Sequence, residues 1–134
     1  MSSLPEAVYR AEQVRKLDAT AIGRYQIPGY QLMCRAGSAA VSLARELWPE
    51  RRCWVVLCGA GNNAGDGYVI ARLARDSGID VRVVALVDPA RLKGDAAQAW
   101  SDFGADCDSW QPDCLKEIIR SEHLSLDEVL FAFC

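Results

Sequence analysis

Two side-chain amides and one carboxylate lie within the glycine-rich stretch 59–67, which directly follows the apolar segment 53–58. The three groups belong to Asn62, Asn63 and Asp66. A glycine-rich loop between a strand and a helix presents backbone N–H groups and the positive end of the helix to a phosphate. The amides and the carboxylate add hydrogen-bonding groups that a phosphate turn alone does not need. The stretch therefore predicts a site that holds a nucleotide and also acts on it.

The glycine-rich stretch also fits a second class of protein. Residues 59–64 match the dinucleotide fingerprint G-x-G-x-x-[GA], and Asp88 could bind a ribose hydroxyl, which would indicate a nicotinamide-dependent oxidoreductase. A Walker loop is excluded because no Gly-Lys-Ser/Thr follows. Asp66 alone could stabilise the first turn of a helix, and Asn62 and Asn63 alone could serve a turn. Together on one turn, they indicate an oxygen-rich cation site or a polar ligand.

Hydrophobic periodicity predicts an α/β fold around this stretch. Apolar residues recur every three or four residues in two segments, which end before Pro28 and near Trp48, so two helices precede the first strand. Predicted strands are 53–58, 81–87 and 129–134; predicted helices run from the glycine loop to about 77, over 94–103 and over about 113–120, with 107–110 ambiguous. This alternation predicts a Rossmann-like three-layer αβα fold with a mainly parallel sheet and a ligand at the carboxyl ends of the strands.

Composition limits the class of protein. The chain has 134 residues, of which 51% are hydrophobic, so it forms one domain at most. Its 15 Lys and Arg against 18 Asp and Glu give a net charge of -3, which does not support binding to nucleic acid and favours a small-molecule partner. Residues 1–6 do not begin a signal peptide, and no run of about 18 apolar residues occurs. We therefore expect a cytoplasmic protein without a membrane partner.

No site role is assigned to the cysteines, the tryptophans or the histidine. None of the six cysteines belongs to a C-x-x-C pair, so we expect reduced thiols packed in the core. The four tryptophans are expected to pack in the core or at a dimer face; they are Trp48, Trp54, Trp100 and Trp110. The single histidine, His123, lies in a polar segment and is expected to be solvated rather than catalytic.

Two motifs resemble one protein family. Residues 61–68, G-N-N-A-G-D-G-Y, resemble the G-N-N-G-G-D-G signature of the NAD(P)H-hydrate epimerases, the YjeF N-terminal domain family, with Ala64 in place of a glycine. Residues 32–37, L-M-C-R-A-G, resemble the family's L-M-E-R-A-G. The resemblance extends from about Tyr9 to the end of the chain. It implies an isomerase that interconverts the R and S forms of NADHX and NADPHX, the hydrated forms of NADH and NADPH.

The resemblance also implies roles for individual residues and for partners. The residues expected to contact the hydrated dinucleotide are Asn62, Asn63, Ala64, Gly65 and Asp66. Asn63 is expected to supply an oxygen ligand to a potassium ion. No catalytic residue is assigned, since positioning of the substrate is the better supported role of Asp66. The family further implies a homodimer formed through the N-terminal helices.

The chain departs from the family pattern at several places. Cys34 replaces a glutamate. Residues 127–134 align with the strand that ends in the family's D-A-L-x-G-T-G, but Phe131 falls on its aspartate, or the aspartate has been lost beside it. The G-T-G and the later D-x-P-S-G are absent. We therefore expect 1–134 to be a partial YjeF N-terminal domain, incomplete at its C-terminus, without a dehydratase domain and impaired as written. A non-catalytic dimerising scaffold is an alternative, although a scaffold has no need to keep 62–66 intact.

Overall fold

The structure, a computed structural model, describes residues 7–125 and 128–134, except for the side chains of Phe131 and Phe133. The described residues form five α-helices, four β-strands and one 3₁₀ turn. The elements are α1 (Ala11–Gly23), α2 (Gly29–Leu47), β1 (Cys53–Cys58), α3 (Asn62–Asp76), β2 (Asp80–Ala85), the 3₁₀ turn (Pro89–Arg91), α4 (Gly94–Phe103), β3 (Asp108–Ser109), α5 (Cys114–Ser121) and β4 (Val129–Phe133). Within this part of the chain, no helix combines the length and the apolarity that a membrane crossing requires.

The four strands form one parallel sheet in the order β3-β2-β1-β4. On β1, Cys53 pairs with Asp80 of β2 on one side and with Val129 of β4 on the other. The chain thus runs outward from β1 through β2 to β3 and then returns to the far side of β1. A reversal of this kind is a topological switch point, where α/β proteins bind ligands at the carboxyl ends of the strands. The predicted parallel sheet is confirmed.

Helices cover both faces of the sheet. Every residue of β1 is buried, as expected for a central strand of a parallel sheet. Val56 packs in one cluster with Tyr68 of α3 and Phe103 of α4. Val55, which points to the opposite face because side chains alternate along a strand, packs with Ile118 of α5. The predicted three-layer αβα arrangement is therefore confirmed.

The first helix forms where the periodicity predicts it, but none of its residues is buried. Val14 is 43% exposed and Leu17 is 56% exposed. Tyr25, which continues the apolar pattern beyond the end of α1, is also exposed. The apolar face of this helix is thus uncovered in the single chain.

The structure refines the predicted elements at three places. Helix α2 begins at Gly29, because the ring of Pro28 fixes φ at -56° and suits the residue just before a helix. Strand β2 ends at Ala85 rather than Val87, because the chain turns at Asp88 into the 3₁₀ turn. The ambiguous stretch 107–110 contains the two-residue strand β3.

The expected environments of cysteine, tryptophan and histidine are largely observed. All six cysteines are free thiols, as predicted. Trp54 is buried and Trp100 packs against the core, whereas Trp48 and Trp110 are nearly half exposed. His123 is exposed, which confirms its assignment as a solvated residue.

Cys34 lies where α2 packs against α3. Its sulfur accepts a hydrogen bond from Nη2 of Arg72 at 3.8 Å, a long contact to a neutral acceptor. Nε of Arg72 is shielded from solvent and has no hydrogen-bond partner among the described residues. A carboxylate at this position would give the guanidinium a directly paired counter-charge, in addition to the nearby carboxylate of Asp102.

We expect Cys34→Glu to raise the free energy of unfolding by about 1 kcal/mol at neutral pH, because the new carboxylate can pair with Arg72. Urea denaturation followed by circular dichroism measures the change. Cys34→Gln is the matched control, since it supplies the same length without the charge. An equal effect of both substitutions would show that an ion pair contributes nothing at this contact.

Candidate functional site

The glycine-rich loop lies at the carboxyl edge of the sheet, between β1 and β4. The N–H of Gly59 donates to the carbonyl of Cys134 at 2.7 Å, and the N–H of Cys134 donates to the carbonyl of Leu57 at 2.8 Å. The loop thus leaves β1 directly beside the end of β4, and residues 59–61 then turn into α3. The predicted site residues are therefore gathered at the switch point of the sheet.

The start of α3 offers two unpaired backbone donors. Gly61 precedes the helix in an extended conformation and has no side chain to cap it. The N–H of Ala64 donates to the carbonyl of Gly61 at 3.0 Å, whereas the N–H groups of Asn62 and Asn63 have no partner among the described residues. Both asparagine side chains are exposed. Free donors at the positive end of a helix favour an anionic group such as a phosphate.

Ala64 and Gly65 are buried beneath the loop. A Cβ on Gly65 would lie 2.9 Å from Cα of Ala96 in α4 and 2.8 Å from Sδ of Met33 in α2. The missing side chain thus allows three helices to approach one another. Both residues position the turn, and their contact with a substrate stays a prediction.

Asp66 is half-buried and makes no hydrogen bond or ion pair with the described residues. Burial raises the pKa of its carboxyl above the usual 3.8, and the nearby negative charge of Asp18 in α1 raises it further. Carboxyl groups perturbed in this way concentrate at functional sites. The sequence does not single out Asp18, because an acidic residue on an amphipathic helix normally faces solvent.

A cavity of about 330 Å³ opens beside the glycine loop. Its lining residues are Ala60, Val87, Arg91 and Leu92. Arg91 is exposed and makes no hydrogen bond or ion pair with the described residues, so its guanidinium is available to a phosphate. Asp88, in contrast, accepts a hydrogen bond from the N–H of Ala90 at 3.0 Å and caps the 3₁₀ turn. The sequence does not identify Arg91, because no motif includes it.

Two thiols lie beneath the loop. The sulfurs of Cys58 and Cys134 both lie within 3.4 Å of the position that a Cβ on Gly67 would take, so the glycine makes room for them. Burial raises the pKa of Cys58 to about 12, and the neighbouring Cys134 and Cys107 add to the effect. Cys58 is therefore a protonated thiol at neutral pH and packs as an apolar group.

The structure describes only part of the last strand, in which the sequence departs from the family pattern. Strand β4 confirms the third main strand, and Phe131 pairs in register with Val55 of β1. The side chain of Phe131 and the whole of Asp127 lie outside the described part of the chain.

Fold and site together define a Rossmann-like α/β domain with its candidate site at the switch point of the sheet. Residues 29–119 match the protein-family model described as YjeF-related protein N-terminus. The chain belongs to this family. The matched range begins with α2 and ends within α5, so it includes the glycine loop and the start of α3.

Relatives with curated names agree with the family. The chain is 41% identical over 107 residues to the bifunctional NAD(P)H-hydrate repair enzyme Nnr of Escherichia coli, an alignment that covers 78% of this chain and 21% of that protein. It is 42% identical over 86 residues to the NAD(P)H-hydrate epimerase of Rhodopirellula baltica, covering 64% and 35%. The chain thus spans between about a fifth and a third of the length of these relatives.

A solved structure supports the fold. The crystal structure of yeast ynu0 is similar to this chain with a TM-score of 0.71 at 20% identity. The alignment covers 95% of this chain and 54% of the yeast chain. At this level of identity the likeness establishes the Rossmann-like fold alone.

Proposed function

We propose that this chain is an epimerase domain that interconverts the R and S forms of NADHX and NADPHX. One observation carries the proposal: the unpaired, half-buried carboxylate of Asp66 lies about one helix turn after the free helix donors, in a chain of the YjeF-related family. The names of the Escherichia coli and Rhodopirellula baltica relatives support it. Cytoplasmic localisation and the absence of nucleic-acid and membrane partners stay predictions of the sequence.

The reaction needs a group that can move a proton at the reacting carbon. Carbon 6 of the hydrate carries both a hydroxyl and the ring nitrogen, so inversion can proceed by loss and re-addition of water through an iminium, or by ring opening and closing. Both routes require proton transfer at oxygen or nitrogen. Because the pKa of Asp66 is raised, its carboxyl stays protonated to a higher pH than an ordinary carboxyl. We assign Asp66 to orient the substrate hydroxyl and to exchange this proton.

The remaining site residues suit the phosphates and the polar groups of a dinucleotide. The free N–H groups of Asn62 and Asn63 can donate to phosphate oxygens at the positive end of α3. Arg91, on the wall of the neighbouring cavity, adds a guanidinium that can bind phosphate with two parallel hydrogen bonds. The asparagine side chains supply further donors and acceptors.

Potassium fits this donor set in part. Asn63 and Asp66 are three residues apart on α3 and so share one face of the helix, and the carboxylate has no partner among the described residues. Within 7–125 and 128–134, no three His, Cys, Asp or Glu side chains form a group that could hold a metal ion, so amide and backbone oxygens would complete the ligand shell. When bound, potassium would supply a positive charge next to the substrate oxygens.

The test is the conversion of R-NADHX to S-NADHX, followed by chromatography against a protein-free blank, since the two forms also interconvert spontaneously. We expect acceleration in potassium buffer and less in sodium buffer. Unmodified NADH and NAD⁺ are the binding controls for the oxidoreductase alternative, since an oxidoreductase would bind them tightly. A rate equal to the blank from a folded chain that does not bind NADHX would contradict the proposal and favour the scaffold alternative.

The homodimer implied by the family is proposed to form through α1, whose apolar side chains are exposed in the single chain. We expect Leu17→Glu to shift a dimer to monomer in analytical ultracentrifugation, because the substitution places a charge in an apolar interface. Ala19→Glu adds the same charge on the other side of α1 and should leave the dimer intact. Dimers of equal strength in wild-type chain and Leu17→Glu would exclude this surface.

A further inference from the structure

A second concave surface lies at the amino edge of the sheet, opposite the glycine loop. It is a cavity of about 410 Å³, a volume within the range of small-molecule sites. Arg51 and Arg52 directly precede β1, and Ile79 directly precedes β2, while the C-terminal ends of α2 and α3 supply the other walls. The function proposed for the carboxyl edge makes no use of this cavity.

Three arginines line this cavity without partners. Arg45, Arg51 and Arg52 make no hydrogen bond or ion pair through their side chains with the described residues. Nη1 of Arg51 is shielded from solvent and lacks any hydrogen-bond partner in the described part of the chain. The lining holds a single carboxylate, that of Glu46. The cavity is therefore positively charged.

Helix ends do not fully explain these charges. Arg45 lies in the last turn of α2 and can stabilise the negative end of that helix. That role does not extend to Arg51 and Arg52, which directly precede β1 and belong to no helix. An anion with several oxygen acceptors would balance these three neighbouring charges.

An aromatic ring lies in the same cavity. Trp48 is 44% exposed and lines the cavity together with Arg45, Pro49 and Arg51. Exposed aromatic side chains next to guanidinium groups serve as stacking platforms for nucleobases, since every base offers a π-face. The ring and the three charges together match a ligand with a planar base at one end and a phosphate at the other.

We propose that this cavity binds a nucleoside monophosphate. The phosphate oxygens accept hydrogen bonds from the guanidinium groups of Arg45, Arg51 and Arg52, and the base stacks on Trp48. The site is independent of the epimerase site at the carboxyl edge, so it can be occupied whether or not the epimerase proposal holds.

Isothermal titration calorimetry of the chain with AMP, ribose 5-phosphate and inorganic phosphate tests the proposal. We expect AMP to bind most tightly, and we expect Arg45→Gln with Arg52→Gln to weaken AMP by about tenfold or more. Trp48→Leu should weaken AMP by about tenfold and leave inorganic phosphate unchanged. Arg15→Gln with Arg120→Gln is the matched control, since both side chains are exposed and unpaired among the described residues.

Three results would overturn the assignment or move it to a different site. If Asp66→Asn or Arg91→Gln weakened AMP while the Arg45 and Arg52 double variant did not, AMP would bind at the carboxyl edge instead. Equal affinity for AMP and inorganic phosphate, insensitive to Trp48→Leu, would exclude base stacking. Failure of AMP to bind at millimolar concentration would reject the site altogether. Circular dichroism of each variant confirms that it is folded.

Discussion

Asp66→Asn is expected to slow the interconversion of R- and S-NADHX by at least about a hundredfold, the lower end of what a positioned acid or base contributes. The amide has nearly the shape of the carboxyl but cannot take or release the proton that the reaction moves. Initial rates over a range of NADHX concentrations measure kcat and KM separately. The loss should fall mainly on kcat, because the helix donors of Asn62 and Asn63 still bind the phosphates.

The substitution should not unfold the protein. Because the pKa of Asp66 is raised in the folded state, the native chain holds more protons than the unfolded chain from pH 3.8 up to that raised value. Wild-type stability therefore falls as the pH rises through this interval. Asp66→Asn has no carboxyl to titrate and so avoids this fall in stability. Its free energy of unfolding at pH 7 should equal that of wild type or exceed it by less than about 1 kcal/mol, given the partial exposure of the group. Well below pH 3.8 the difference should disappear.

A control on the same helix separates chemistry from charge. Asp76→Asn removes an exposed carboxylate at the far end of α3, where it lies 3.7 Å from the guanidinium of Arg75. We expect this variant to epimerise NADHX at the wild-type rate. An Asp66→Asn variant that is folded and as active as Asp76→Asn would show that Asp66 neither orients the substrate nor moves its proton.

The order of helices and strands could be predicted from sequence because local pattern and burial agree. Strand β1 is apolar at every position and is buried on both faces, and α4 occupies the predicted range, ending at Gly104 in the left-handed conformation that favours glycine. The end of β2 could not be predicted, since Leu86 and Val87 continue its apolar pattern. Only the cap that Asp88 forms on the next turn ends the strand earlier.

The candidate site could be predicted only where one motif contains it. Asn62, Asn63 and Asp66 all lie at the start of α3, so spacing alone brings them together. Asp18 and Arg91 reach the same edge of the sheet from α1 and from the turn after β2, and the sequence holds no signal for contacts between such distant segments. Sequence reasoning also cannot tell whether a glycine in the motif contacts a ligand or a neighbouring helix.

Whether a motif glycine contacts a ligand or a neighbouring helix matters most for Gly65. We expect Gly65→Ala to lower the free energy of unfolding by about 2–3 kcal/mol, the upper range for overpacking a core. The new Cβ would lie 2.8 Å from Met33 and 2.9 Å from Cα of Ala96. Met33 can change rotamer, but Ala96 contributes helix backbone, so α3 and α4 must move apart. Urea denaturation at neutral pH measures the change.

Gly23→Ala is the control for Gly65→Ala, because a Cβ on Gly23, at the end of α1, meets no atom within 4 Å. It should be neutral or slightly stabilising, since alanine favours a helix. If Gly65 acted only by contacting substrate, Gly65→Ala would weaken NADHX binding and leave stability within about 0.5 kcal/mol of wild type. If Gly65 instead acts by packing, stability falls first because α3 and α4 separate. Binding is then lost as a consequence, because the start of α3 moves together with Asn62 and Asn63.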